Sequence, residues 1–132
     1  MEDALDHESL VEEGITGILC LNGFPAFIAH LGLFDWRAVV MDDGPNNPPE
    51  LLEKALVTLR ELAARHQGVL VHCAEGVSRS PFIVACFLAE EKGQDLPATI
   101  RWVKERHQDT IVSPQLLPLW DQYRRVHRNG AS

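Results

Sequence analysis

The chain is poor in cysteine, has no surplus of positive charge, and contains no long apolar run. Its three cysteines, Cys20, Cys73 and Cys86, are an odd number, far apart and set in apolar segments. That is poor material for a disulfide framework, and the expectation is reduced thiols. The six histidines form no His-x-x-x-His pair and no Cys-x-x-Cys occurs, so zinc spacing is missing and any nucleophile must be activated without a metal. Neither a metal nor another cofactor is expected. Twelve Lys and Arg against nineteen Asp and Glu leave a formal charge of -7. This argues against a broad nucleic-acid or anionic-membrane surface, both of which need basic patches. No stretch reaches the roughly 18 consecutive apolar residues of a membrane span. The acidic start, Met1-Glu2-Asp3, is unlike a targeting peptide. A soluble, monomeric protein of the cytoplasm, also compatible with the nucleus, is expected.

What is present suits one globular domain over residues 1–132, with 45% hydrophobic and 23% charged residues. Asp6 to Glu13 reads as a short helix closed by Gly14, and "ITGILC" (15–20) as a buried strand. A short helix with loops is expected over 23–35, then a second strand, "WRAVVM" (36–41). "DDGPNNPP" (42–49) concentrates turn residues and reads as a loop. Leu52, Ala55, Leu56, Leu59, Leu62 and Ala63 share one face of a helix from Pro49 to His66, closed by Gly68. "VLVH" (69–72) is a short strand, and "SPFIVACFLAEEKG" (80–93) a helix apolar nearly all round, hence buried. Asp95 caps a helix near Pro97 to His107, and Ser113-Pro114 starts a last one through about His127. Strands alternating with helices predict an α/β fold with a central, mostly parallel sheet flanked by helices. Ligands of such sheets bind beyond the carboxyl ends of the strands. Both "MDD" and "HCAEGVSR" fall there.

The stretch "VHCAEGVSRS" (71–80) carries the chemistry. A thiol attacks as its thiolate, and one with a pKa of about 8.5 is mostly protonated at neutral pH. Cys73 stands between a strand and the amino end of a buried helix, where unpaired N–H groups and the helix dipole favour an anion. Arg79 adds a full charge. If Cys73 to Arg79 wrap into a cradle, successive N–H groups form an anion nest, and Gly76 permits the tight reversal. The same cradle fits a tetrahedral oxyanion, and a planar guanidinium grips two phosphate oxygens at once. Together these describe a phosphate-ester hydrolase with a covalent thiophosphate intermediate.

His72-Cys73-x-x-Gly76-x-x-Arg79-Ser80 resembles the signature of the cysteine-dependent protein tyrosine phosphatases. "GITGILCLNG" is similar to the first core strand of the dual-specificity branch, "VVMDD" to its general-acid loop, and "SRSPFIVACFLAEEKG" and "DLPATIRWVKERHQDTIVSP" to its later helices. The resemblance implies Cys73 as nucleophile and Arg79 as transition-state clamp. The N–H groups of Ala74, Glu75, Gly76, Val77, Ser78 and Arg79 would hold the phosphoryl oxygens, and Ser80 would bond to the sulfur as it departs. A carboxylic acid must protonate the leaving group. The family loop places Asp43 there, with Asp42 as the alternative. Val40 stands where dual-specificity enzymes often carry proline. Only 14 residues precede Ile15, where dual-specificity domains typically start with a strand pair, so the expectation is either a trimmed form or a sheet with a shortened amino-terminal edge.

His72 and Cys73 are neighbours on a strand and point to opposite faces, so His72 is expected to brace the loop rather than take the thiol's proton. Cys86 and Cys20 read as core residues, and some relatives pair a second cysteine with an oxidised nucleophile, a role open to Cys20. Leu116, Leu119, Trp120 and Tyr123 read as core. Arg101, Lys104, Arg106, Arg124, Arg125 and Arg128 read as solvated faces, with a docking patch for an acidic partner as the alternative.

A short chain without the phosphotyrosine-recognition loop of the larger enzymes implies a shallow pocket that admits phosphoserine and phosphothreonine as well as phosphotyrosine. The expected partner is a phosphoprotein substrate. The alternatives are a phosphopeptide-binding pseudophosphatase, or a phosphatase acting on a phosphoinositide or an RNA 5'-phosphate.

Overall fold

The computed structural model describes residues 14–21, 34–42, 46–72, 79–106 and 112–131, the last of these as backbone alone from 127. Three strands, β1 (Ile15–Cys20), β2 (Asp35–Ala38) and β3 (Gly68–His72), form a sheet in the order β2-β1-β3 with both pairings parallel. Helices α1 (Pro49–Arg65), α2 (Arg79–Lys92), α3 (Leu96–Arg106) and α4 (Leu117–Ala131) complete the described elements, with a 3-10 turn at Pro114–Leu116. The expected parallel α/β fold is the observed one.

Alternation along the strands sorts the sheet into two faces. Leu19 and Leu21 of the β1 segment and Val69 and Val71 of β3 pack with the buried side of the helices: Leu52, Leu56 and Leu62 of α1, Phe82 and Ile83 of α2, Leu119 and Tyr123 of α4. Ile18, with Ile15, Trp36 and Leu70, forms a second, smaller cluster on the other face. Each fully buried leucine or isoleucine contributes about 1.5–3 kcal/mol. α1 begins at a proline, whose missing N–H costs nothing in the first turn, and presents Leu52, Ala55, Leu56, Leu59 and Leu62 as its buried stripe. α2 is buried on most of its first two turns, from Ser80 to Cys86, with Val84 the half-buried exception.

Element boundaries differ from the sequence reading in instructive ways. β2 spans Asp35–Ala38 rather than 36–41, but the extended chain continues, with Val39 donating to the Cys20 carbonyl (3.0 Å) and Met41 to that of Leu21 (2.9 Å). Val39 and Met41 are buried and Val40 is 61% exposed, the period of a strand. Gly68 does not close α1. His66 does so in an extended conformation, its N–H on the Leu62 carbonyl. Gly68 instead starts β3 against the backbone of Gly14, where a Cβ would lie 2.3 Å from the Gly14 oxygen. Gly14 itself turns into β1 with φ +80°, a conformation glycine adopts without steric cost.

The last helix also starts later than expected. The Ser113 hydroxyl accepts from the Gln115 N–H. Pro118 has no N–H to give the Pro114 carbonyl, and Leu117 donates there instead, tightening the turn to 3-10 before α4 begins. Asp95 precedes α3, its carbonyl accepting from Ala98 (3.1 Å) and Thr99 (3.3 Å). The helix expected over 6–13, the segment 23–33 and the expectation of a shortened amino-terminal edge lie outside the described residues.

Candidate active site

The register pairs Cys20 with Ala38 on one side and with His72 on the other, so the three strands end level. The Leu21 N–H donates to the His72 carbonyl at 2.7 Å, which holds the end of β3 against β1 just before the signature loop. The end of β2 and the end of β3 therefore lie at the same end of the sheet, on either side of β1. This is the end where parallel sheets bind ligands.

Arg79 and Ser80 open α2, and the first turn of that helix carries no acidic side chain. The Arg79 guanidinium donates through Nη1 to the Met41 carbonyl at 2.8 Å. A residue at the start of α2 is thus fixed to the backbone just before the acidic pair, 38 positions earlier in the chain. Ser80 is 6% exposed.

The acid loop is braced from its own far side. Asn47, 8% exposed, accepts from the Asp42 N–H through Oδ1 and donates through Nδ2 to the Asp42 carbonyl, both at 2.8 Å. Both backbone polar groups of Asp42 are thus held by a single amide side chain, which fixes the backbone of a residue that is itself exposed. The loop is pinned at two successive residues, Met41 by Arg79 and Asp42 by Asn47.

The structure thus brings His72, Arg79, Ser80 and Asp42 to one end of the sheet. Cys73, Ala74, Glu75, Gly76, Val77, Ser78 and Asp43 lie outside the described residues. The elements that flank residues 73–78 in sequence are β3 and α2. Burial pushes the His72 imidazole below its ordinary pKa of 6.5, which favours the neutral ring. A neutral ring suits a bracing residue better than a proton donor.

Cys86 is fully buried in α2, and burial, then the Glu90 carboxylate, push its thiol well above the ordinary value. It is an inert core residue. Cys20 is also fully buried; its register partner His72 shares its face of the sheet. Its pairing with Cys73 lies outside the described residues. Leu116, Leu119, Trp120 and Tyr123 are core, as expected. Among the described residues no group of three or more His, Cys, Asp or Glu is arranged to hold a metal. No helix among them is long and apolar enough to cross a membrane.

Two features were not foreseen. Asn47 sits in "DDGPNNPP", whose turn-forming composition signalled a specific loop but not which side chain would brace it. At the opposite end of the sheet, Arg37 holds Asp35 (2.9 and 3.2 Å) and also Glu61 (3.1 Å). The His66 ring spans Asp35 and Thr16, each at 2.9 Å. His66 was read only as the end of a helix. Gly17 makes room for it: a Cβ there would stand 3.0 Å from the imidazole Cδ2.

A parallel α/β domain with an arginine at the head of a buried helix, tied to an acidic loop, defines a cysteine-phosphatase type of architecture. Residues 14–124 match the family model described as dual specificity phosphatase, catalytic domain, and the chain belongs to that family. It is 30% identical over 119 residues to the protein-tyrosine-phosphatase IBR5 of Arabidopsis thaliana, covering 86% of this chain and 42% of that protein. The chain spans less than half the length of that relative, and 30% of mouse dual specificity protein phosphatase 12. Human DUSP28 shares the fold, with TM-score 0.77 at 18% identity over 95% of this chain and 87% of that one. So does PTPMT1 in a complex with PI(5)P, with TM-score 0.77 at 16% identity over 98% and 88%.

Proposed function

We propose that this domain hydrolyses phosphate monoesters on phosphoproteins, both phosphotyrosine and phosphoserine or phosphothreonine, through a cysteinyl-phosphate on Cys73. The observation that carries the reading is the bond from Arg79 to the Met41 carbonyl. It joins the residue read as the phosphate clamp to the loop read as the source of the general acid, on the end of the sheet where the signature loop begins.

In this mechanism the Cys73 thiolate attacks phosphorus as the ester oxygen leaves, and Asp43, with Asp42 as the alternative, gives that oxygen its proton. Negative charge on the equatorial oxygens is met by the N–H groups of residues 74–79 and by the Arg79 fork. Water then attacks the phosphocysteine, the carboxylate takes a proton from that water, and the sulfur leaves as thiolate with a hydrogen bond from Ser80. Inorganic phosphate is released, and thiolate and acid are both restored. His72 braces the loop. The domain acts as a monomer in the cytoplasm or nucleus.

A phosphoinositide substrate is the second reading, favoured by the fold shared with PTPMT1, whose structure was determined with PI(5)P. Against it, Ala74-Glu75-Gly76-Val77-Ser78 contains no lysine to hold a further phosphate and one acid that would repel it. An RNA 5'-phosphate fits the net charge of -7 poorly. A binding module without turnover fits poorly with retention of Cys73, Arg79, Ser80 and the acidic pair.

The test is phosphate release from matched phosphotyrosine and phosphothreonine peptides and from vesicles containing PI(5)P, with Cys73→Ser as the blank. Release from both peptides exceeding that from vesicles supports the proposal. Release from vesicles alone moves the substrate to lipid, and tight phosphopeptide binding without release makes the protein a binding module.

A further inference from the structure

Helix α2 ends at Lys92, and Gly93 reverses the chain with φ +65° so that α3 folds back on α2. Between the start of α3 and the start of α4 lies a groove of about 750 Å³. Leu96, Pro97, Ile100, Leu117 and Trp120 contribute its apolar lining, and Leu117 is 38% exposed there. Arg101, Lys104 and Arg124 stand around it, all exposed. The Arg124 guanidinium lies 5.3 Å from the Trp120 ring centroid, extending the cationic rim over the aromatic floor. Asp95 and Asp121 also line the groove, yet among the described residues neither forms an ion pair with these three cations. The other basic residues nearby are differently disposed: Arg106 stacks on Trp102, 3.8 Å from its centroid, and Arg125 turns to the Asp121 carbonyl.

A chain of net charge -7 that gathers three cations around an apolar floor, none of them in an ion pair among the described residues, has a local sign opposite to its overall one. We propose that this groove docks a partner protein through a short segment that places apolar side chains on the Leu96, Ile100, Leu117 and Trp120 floor and carboxylates against Arg101, Lys104 and Arg124. Charge complementarity selects an acidic segment over a basic one. A second copy is disfavoured because two chains of the same sign and this size repel. Neither acid on the rim changes that preference, because the cations outnumber them three to two. The groove opens at the far end of α2, whose 14 residues separate it from Arg79 by about 20 Å. Docking therefore leaves the strand-end site open, and a segment bridging the two would need roughly six extended residues.

The probe is a synthetic peptide carrying leucines at helical spacing flanked by glutamates, titrated into the full chain labelled for amide and indole resonances. Expected are shifts at Ile100, Arg101, Lys104, Leu117 and the Trp120 indole, and binding at least about tenfold weaker for Arg101→Glu combined with Arg124→Glu. Arg101→Lys retains binding. Hydrolysis of a small phosphate ester is unchanged in every variant, so loss of docking reads separately from loss of catalysis. Equal binding of the peptide with lysines for glutamates, shifts that spread outside the groove, or shifts reproduced by raising protein concentration alone would each overturn the proposal.

Discussion

Asn47 offers a sharp perturbation of the acid loop, because one buried side chain holds both backbone groups of Asp42. Replacing it with alanine removes two bonds of 2.8 Å, each with a net contribution of about 0.5–1.5 kcal/mol. Asp42 is exposed, so water recovers part of the loss, and the expected destabilisation is about 1–2 kcal/mol. The same energy is what aligns the loop, and about 1.4 kcal/mol is a tenfold change in the aligned population. Proton donation matters most when the leaving group is a poor one. Steady-state rates of Asn47→Ala should fall about tenfold on phenyl phosphate and less than about twofold on 4-nitrophenyl phosphate, whose phenolate leaves unaided. A urea melt on the same sample gives the stability change independently. Equal losses on both esters, or an unaltered rate despite a lowered midpoint, would refute the idea that Asn47 positions the acid.

Three further outcomes are expected. Asp43→Ala should flatten the alkaline limb of the pH–rate profile; if Asp42→Ala does so and Asp43→Ala does not, the acid is Asp42. Asp35 is held near a pKa of about 2 against an ordinary 3.8, first by the Arg37 hydrogen bond and then by that of His66. The depressed folded value means its contribution is complete above the ordinary value and is lost as pH falls through the folded one. For a carboxylate that is a quarter exposed this is about 1 kcal/mol after screening. Asp35→Asn should therefore lower the urea midpoint at pH 7 and converge on the parent as pH approaches 2, and a gap that persists in acid would mean a packing effect. Gly68→Ala meets the Gly14 backbone oxygen at 2.3 Å and should cost about 2–3 kcal/mol, whereas Gly17→Ala meets only side-chain atoms, the His66 ring at 3.0 Å and Leu62 Cδ2 at 3.3 Å, and should cost less. Equal losses in paired thermal melts would count against the backbone approach.

The elements that the sequence made legible are those with a strong period. α1 carries five buried apolar residues at helical spacing, and β1 and α2 carry apolar runs that only burial explains. The site's end of the sheet was legible because "VVMDD" and "HCAEGVSR" each follow a strand. What stayed hidden depends on long-range geometry. Gly68 looked like a helix stop because glycine after a helix usually is one, and only the approach of Gly14, 54 positions away by numbering, gives its other reason. Arg79 was read as a phosphate ligand from its spacing to Cys73, while its bond to Met41 follows from how two loops meet. The basic residues of α3 and α4 were read as solvated faces, since spacing along a helix does not reveal that Arg101, Lys104 and Arg124 surround one groove.

The most direct test of the central claim is acid-quenching the domain during turnover of a phosphotyrosine peptide and mapping phosphate by mass spectrometry. One phosphoryl group on the peptide containing Cys73, absent from Cys73→Ser and enriched by Asp43→Ala under conditions that slow hydrolysis, is the predicted result. Turnover that continues in Cys73→Ser, or phosphate trapped on another residue, would contradict it.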